Sequence, residues 1–335
     1  MEGLNKLKDI LKIPTTIAII VHRNPDGDAL GSGLGLALFL KKKGHSVQVI
    51  LPSEYPPIFE FLPTIKDTIV FDLNPQRTVE ILTNAELIFC LDFNSLDRIE
   101  KIAPILLNLK KKTYIMIDHH LDPEPFADYV LSEPEASSTS ELIFDFIQKL
   151  DEKKRMDVDI GTCLFTGIIT DTGSFKYATN PNTYHVAAEL KKLGVDDYQL
   201  QDNIFNAWTE RQMVLLGHCL RNRMEIIPEY ATGIIYLDAS DYKKYQISRG
   251  DTEGVVNYIL MIKGIKVALF IRDMHGSVRM SLRSKGSISV QDIARNHFRG
   301  GGHKNASGGS SKESIPKTIE TFKSILPKYI DKIKL

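Results

Sequence analysis

Short apolar runs that break off at an acid or an imidazole constrain this chain more than any other feature. Residues 15–21 (TTIAIIV) stop at His22 and lead into Arg23-Asn24-Pro25-Asp26-Gly27-Asp28. Residues 86–93 (ELIFCLDF) carry Asp92 near their end, and residues 113–117 (TYIMI) stop at Asp118-His119-His120. Runs of this length and composition read as buried strands. Helical spacing fills the gaps between them. LGSGLGLALFLKKKG follows the first run, with Gly44 as its stop and Asp28 placed to cap its start. Further helices are expected over 78–84, 95–109, 136–150 and 160–170, and further strands over 47–51 and 67–71. Strands alternating with helices up to about residue 185 predict a parallel, doubly wound α/β sheet. Ligands bind such sheets in the crevice outside the strand C-termini, where residues distant in sequence converge.

The remainder reads differently. A short amphipathic helix is expected over 4–12, and a helical connector over about 183–225. Residues 233–237, 266–271 and 277–282 then read as strands, with helices near 252–261, 289–298 and 315–333. That pattern predicts a second, smaller α+β domain, and 335 residues suit two domains.

The strand-end residues carry the chemistry. His22, Asp26 and Asp28 follow the first strand, Asp92 ends another, Asp118, His119 and His120 end the next, and Asp171 follows a buried helix. Taken singly, Asp28 is a helix cap and Asp92 a turn residue. Packed into one crevice, several carboxylates would repel one another, and divalent cations remove that cost. Mixed Asp/His donors without cysteine suit Mn²⁺, Co²⁺, Fe²⁺ or Zn²⁺ better than Mg²⁺ or Ca²⁺. Eight donor groups exceed the needs of one ion and suit a pair sharing a carboxylate. The glycine-rich residues 300–309 (GGGHKNASGG) have their own use, since glycines let backbone N–H groups approach a phosphate or base. They lack Walker A spacing. The GSGLG of the first helix is explained by small residues packing helix on sheet.

These motifs resemble those of the DHH phosphoesterase superfamily: HRNPDGDA from His22, Asp92, Asp118-His119-His120, and GIITDTG around Asp171. Residues 300–309 resemble the signature of the companion DHHA1 domain. The resemblance implies a DHH catalytic domain over 1–187, a helical connector over 188–225 and a DHHA1 substrate domain over 226–335. It implies one metal site of His22, Asp26 and Asp92, and a second of Asp28, Asp92, His119 and Asp171, with Asp92 bridging and two Mn²⁺ ions as the cofactors. Asp118 would orient an imidazole and His120 would face the substrate phosphate. Arg283, Gly301, Gly302, His303 and Asn305 would contact substrate. The nearest group within the superfamily comprises the stand-alone enzymes that degrade very short RNAs and dephosphorylate 3′-phosphoadenosine-5′-phosphate (pAp).

The expected activity is therefore hydrolysis of short oligoribonucleotides, pAp, or both, by two-metal activated water attack on phosphorus. Hydrolysis of cyclic di-AMP or its linear product pApA is the alternative, and a nucleotide sensor without turnover is the alternative of another class. Lys+Arg 42 against Asp+Glu 42 argues against a long duplex partner but permits a short single-stranded RNA or small nucleotide held by local charge. No signal peptide and no membrane span is read, and Cys90, Cys163 and Cys219 lack paired spacing, so a cytoplasmic location is expected. A homodimer stays open. An inorganic pyrophosphatase is disfavoured by the glycine-rich stretch, and a long-strand exonuclease by the balanced charge.

Overall fold

The computed structural model describes residues 4–150, 155–248, 250–273 and 277–329. The backbone divides into two units, Met1–Ala207 and Trp208–Leu335.

In the first unit α1 (Leu4–Ile10) precedes β1 (Thr16–Val21), α2 (Gly27–Lys42), β2 (Ser46–Leu51), β3 (Ile69–Val70) and α3 (Pro75–Asn84). Then come β4 (Leu87–Leu91), α4 (Ala103–Asn108), β5 (Thr113–Asp118) and β6 (Tyr129–Ser132). Among the described residues α5 (Thr139–Lys149), α6 (Val158–Asp171), α7 (Pro181–Lys192) and α8 (Asp197–Phe205) close the unit. The six strands are all parallel, in the order β3-β2-β1-β4-β5-β6. The chain builds outward from β1 through β2 and β3, then returns to the other side of β1 with β4. That reversal opens a crevice at the C-terminal ends of β1 and β4.

Both faces of the central strands are covered, so their sequences are continuously apolar instead of alternating. Ile17, Ile19, Val21, Phe89 and Leu91 face the cluster built by α2, α5 and α6. Ala18, Ile20, Ile88 and Cys90 face a second cluster with Ile99, Ile102 and Leu106. The cysteines at 90, 163 and 219 are buried and unpaired.

Three local expectations change. Asp26, not Asp28, is the N-cap of α2, because its Oδ1 accepts from the Asp28 and Ala29 N–H groups. The helix expected over 95–109 is a 3-10 segment, Leu96–Ile102, kinked at Glu100 (φ 42°) and followed by α4. Pro104 sits in the first turn of α4 and offers no N–H to an earlier carbonyl, so the helix restarts there. The strand over 67–71 shortens to Ile69–Val70, and β6 adds a half-exposed edge strand whose apolar pattern is too short to read.

The glycines of α2 serve a helix–helix contact more than a helix–sheet one. A Cβ at Gly31 would lie 2.4 Å from the Cys163 carbonyl oxygen and 2.9 Å from the Gly167 nitrogen, both backbone atoms of α6. A Cβ at Gly35 would meet Leu164 at 2.7 Å, whereas Gly33 faces Val21 and Val49 of the sheet.

The second unit runs α9 (Glu210–Asn222), β7 (Met224–Ile227), β8 (Thr232–Leu237), α10 (Ala239–Tyr245) and α11 (Val255–Leu260). It continues with β9 (Val267–Asp273), β10 (Val278–Ser284), α12 (Val290–His297), β11 (Gly301–Gly302), β12 (Ala306–Ser311) and α13 (Ile315–Ile325). The sheet order is β11-β12-β10-β9-β8-β7, antiparallel except between β8 and β9. The helices of residues 188–225 are shared between the units, α8 with the first and α9 with the second. The helix expected over 315–333 is α13 plus a 3-10 turn, Leu326–Tyr329, and residues 330–333 lie outside the described ones.

The glycine-rich stretch is a hairpin, with Gly301 opposite Gly308 and Gly302 opposite Ser307. Side chains are excluded at two of its positions. A Cβ at Gly300 would lie 2.1 Å from the Gly308 carbonyl oxygen, and Gly302 has φ +132°. No helix among the described residues is long and apolar enough to cross a membrane.

Replacing Gly31 with Ala should destabilise the first unit by about 1–3 kcal/mol, because backbone rather than a flexible side chain must yield. Urea unfolding of the variant beside the parent protein measures this, and an unchanged midpoint would contradict the close α2–α6 approach.

Candidate metal centre

The crevice predicted at the sheet's reversal is where the acids and imidazoles collect. His22 is the first residue after β1, and Asp26 and Asp28 start α2. Asp92 follows β4 with a left-handed φ of 63°, a strained conformation for a non-glycine residue. Its N–H still donates to the Ile117 carbonyl at 3.1 Å, which ties it to β5. Asp118 is the last residue of β5, His119 and His120 follow it, and Asp171 is the last residue of α6.

Three groups of ligand atoms lie within 4.8 Å of one another: His22, Asp26 and Asp92; Asp28, His119 and Asp171; and Asp92, His119 and His120. His22 Nε2 stands 3.4 Å from Asp92 Oδ2 and 3.7 Å from Asp26 Oδ2. His119 Nε2 stands 3.1 Å from Asp171 Oδ2, 3.7 Å from Asp92 Oδ1 and 4.0 Å from Asp28 Oδ2. The second nitrogens are anchored: His22 Nδ1 lies 2.9 Å from the Arg23 carbonyl oxygen and His119 Nδ1 3.3 Å from that of Ala136. Such contacts fix which nitrogen turns inward. His120 is within range of Asp92 and His119, but its Nδ1 is engaged by Asp118 Oδ1 at 2.8 Å. Asp118 itself is fully buried, and its Oδ2 has no partner among the described residues.

Sequence reasoning overlooked the residues that hold the acids in place. The Thr139 N–H donates to Asp28 Oδ2 at 2.6 Å and the Ser140 N–H to Oδ1 at 2.9 Å, so Asp28 sits against the first turn of α5. The Thr139 hydroxyl donates to Asp92 Oδ1 at 3.0 Å. Gly167 leaves the space this needs, since a Cβ there would lie 2.6 Å from Asp28 Oδ1. Buried Glu141 accepts from the hydroxyls of Ser137 and Thr183 and steadies the same turn. The only signal in the sequence is the run of small hydroxyl residues 137–140 at a helix start, and that is equally the signature of an ordinary cap.

Electrostatics mark the centre as one built for positive charge. Burial, then the neighbouring Asp92 and Asp171, push the Asp28 carboxyl well above the usual carboxylate range. Burial acts the same way on Asp92, yet the hydrogen bond and charge of His22, with the charges of His119 and His120, hold it below that range. Burial is also the largest single influence on His119 and opposes its protonation. The hydrogen bond and charge of Asp171, followed by Asp92 and Asp28, outweigh it and push His119 up to about 10. His22 is raised likewise, its burial overcome by Asp26 and Asp92. Desolvated acids that draw protons onto nearby imidazoles have a donor set that fits divalent cations.

The residues expected to contact substrate lie in the second unit. Arg283 is on β10, Gly301 and Gly302 form β11, and His303 is exposed in the turn before β12. Asn305 is committed locally: its Nδ2 lies 2.8 Å from Ser284 Oγ and 3.1 Å from each of the Gly286 and Ile288 carbonyl oxygens.

The DHH family, N-terminal domain, matches residues 16–168, and the DHHA1 domain matches residues 232–331. The chain belongs to the DHH family of phosphoesterases and carries the companion DHHA1 domain. It is 30% identical to a probable bifunctional oligoribonuclease and PAP phosphatase NrnA of Streptococcus mutans, over 92% of this chain and 94% of that one. It is 29% identical to the bifunctional oligoribonuclease and PAP phosphatase NrnA of Thermus thermophilus, over 93% of this chain and 89% of that one. The crystal structure of an exopolyphosphatase-related protein from Bacteroides fragilis shares 34% identity and a TM-score of 0.97, covering 100% of this chain and 98% of that one.

Two outcomes test the centre. Thr139→Val keeps volume and the backbone N–H groups but removes the donor to Asp92, so Mn²⁺ affinity should fall about tenfold or more, with Thr139→Ser near the parent value. Calorimetric titration reads both, and equal affinity in all three proteins would remove Thr139 from the centre. Cation binding at pH 7 should also release protons, because His22 and His119 hold theirs above the ordinary histidine range. Affinity should therefore rise with pH until His119 titrates near 10. Titrations in buffers of different ionisation enthalpy count the protons, and none released would contradict the raised values.

Proposed function

We propose that this chain is a cation-dependent phosphohydrolase that degrades short oligoribonucleotides and dephosphorylates pAp in the cytoplasm. The observation that carries the reading is the convergence of His22, Asp26, Asp28, Asp92, His119 and Asp171 at the switch point of the first unit. It occurs in a chain whose bifunctional relatives match it over both domains. His22, Asp26 and Asp92 would hold one cation and Asp28, Asp92, His119 and Asp171 the other, Asp92 serving both sets. The mixed nitrogen and carboxylate donors favour Mn²⁺. Bound there, two divalent cations would activate water for in-line attack on phosphorus and screen charge on its oxygens.

The chain's own residues do the rest. Thr139 and the N-terminal N–H groups of α5 orient Asp92 and Asp28. Asp118 fixes the His120 ring, and His120 contacts the substrate phosphate as charge builds on it. Residues 1–187 perform the chemistry, and residues 226–335 hold the nucleotide. Arg283 pairs with phosphate, His303 stacks on a base, and the Gly301–Gly302 backbone allows close approach. Asn305 acts through the loop it ties to β10, which shapes the turn carrying His303.

The test is a product time course with pAp, short oligoribonucleotides, cyclic di-AMP and pApA, each with Mn²⁺ and with Mg²⁺. Phosphate from pAp and mononucleotides from the oligomers are expected, and Asp92→Ala should abolish both. His120→Ala should keep its cations while turnover falls on the order of 100-fold. Release from neither substrate with any cation would overturn the reading. An ion lost from His120→Ala would make His120 a ligand instead.

A further inference from the structure

The second unit carries a row of arginines that no part of the proposed reading uses. Arg272 on β9 lies directly opposite Arg279 on β10, and Arg279 lies opposite Ser310 on β12. On the far side of β12, Ser310 and Arg299 exchange backbone hydrogen bonds, each 3.2 Å. Directly opposed residues on neighbouring antiparallel strands point to one face of a sheet. Three of the four positions in this transverse row are therefore arginines on a single face. They line an open surface pocket of about 350 Å³ with Ser281, Gly308, Gly309 and Met280.

Packing alone does not account for the row. Like charges directly opposite across strands are destabilising. No carboxylate pairs with Arg272, Arg279 or Arg299 among the described residues. Arg272 donates from Nη1 to Thr252 Oγ1 at 3.0 Å, yet its Nε is buried without a partner. In a chain with no net charge, three convergent guanidinium groups without an acid mark a place for an anion.

The register says which anion. Residues i, i+2 and i+4 of a strand share a face, so Arg279, Ser281 and Arg283 point the same way while Val278, Met280 and Leu282 enter the core. The row containing Arg283 includes Ala306, which pairs with His303 across the turn. Between the two rows lie Ser281, Gly308 and Gly301, mutually paired. Neither of those glycines has a positive φ, and a Cβ on either would meet no atom closer than 3.6 Å. The face is thus a floor of small residues with Arg283 and His303 at one end and three arginines at the other. The Arg283 and Arg279 positions are roughly 14 Å apart along the strand.

We propose that Arg272, Arg279 and Arg299 form a second phosphate subsite, which holds a phosphodiester of a single-stranded oligoribonucleotide further along its chain than the end held at Arg283. The inference rests on the proposed action on short RNA and names how length is read. A mononucleotide occupies only the Arg283 end of the floor, whereas an oligomer spans both ends.

The experiment compares the full-length protein with the double variant Arg279→Ala/Arg299→Ala, both positions exposed, and with Arg279→Lys/Arg299→Lys. A charge-matched control, Lys263→Ala/Lys317→Ala, removes two exposed cations elsewhere in the unit. The KM ratio of pentaadenylate to the dinucleotide should rise about tenfold or more in the alanine variant, rise less in the lysine variant and stay level in the control. The salt dependence of log KM for the pentamer should drop by about 0.7 per arginine removed. An unchanged ratio, or a rise matched by the control, would overturn the subsite. If the parent protein hydrolyses no oligonucleotide, the proposed substrate class fails separately, and anisotropy of fluorescent pentaadenylate in EDTA then reads the subsite directly. Binding by the parent that weakens in the alanine variant supports it; no binding, or equal binding, overturns it.

Discussion

The burial of Asp28 is the constraint on which the first unit depends. Its carboxylate lies 1% exposed, held by two N–H groups at the start of α5 and facing Gly167 of α6. A carboxylate so placed requires three helices to meet closely. Gly31 and Gly35 let α2 approach α6, and Gly167 leaves room for the acid itself. The same turn of α5 reaches Asp92 through the Thr139 hydroxyl. One helix turn thus positions Asp28 of α2, which follows β1, and Asp92, which follows β4, on either side of the sheet's reversal. Charge repulsion among these acids is offset in the protein itself by His22 and His119, which draw protons, and the donor set suits cations in the same role.

The two units solve opposite electrostatic problems. The first concentrates negative charge in a desolvated crevice, where geometry is exacting and neighbouring groups shift one another's proton affinity. The second spreads positive charge across one face of a sheet, on side chains with long reach. Neither is visible in the totals, because the cationic and acidic residues balance. On the proposed reading the division has a physical reason: cation ligands must be rigid, whereas a track for a flexible chain needs charge at intervals.

Much of the first unit was legible. Residues 87–91 and 114–117 are apolar throughout because both faces of β4 and β5 are covered, and that pattern identifies parallel strands before any contact is known. The strand-end acids and imidazoles stood out because packing gives no reason for them. What escaped were residues whose local reading is complete without a site. Ser138 caps α5 by accepting from the Glu141 N–H, so the neighbouring Thr139 passes for part of an ordinary helix start. Residues 300–309 read as glycines that bring backbone close to a phosphate or base, and nothing local shows that the structure pairs them into a hairpin whose spacing depends on two missing side chains. β6 and β7 are short strands beside longer neighbours, with too few residues to show a period.

By itself the sequence determined the alternation of strands and helices as far as β5, the kinds of donor at the strand ends and the family to which the chain belongs. Those follow from side-chain chemistry and from periodicity along a few residues. Tertiary structure alone decided which atoms meet. Asp28 and Thr139 are 111 positions apart, and no local rule brings the carboxylate of one to the N–H of the other. That contact exists because a right-handed doubly wound sheet delivers α2, α5 and α6 to one side of β1 and β4. The arginine row is of the same kind. Arg272, Arg279 and Arg299 are unremarked in sequence and become neighbours only once the register of β9, β10 and β12 sets them in line.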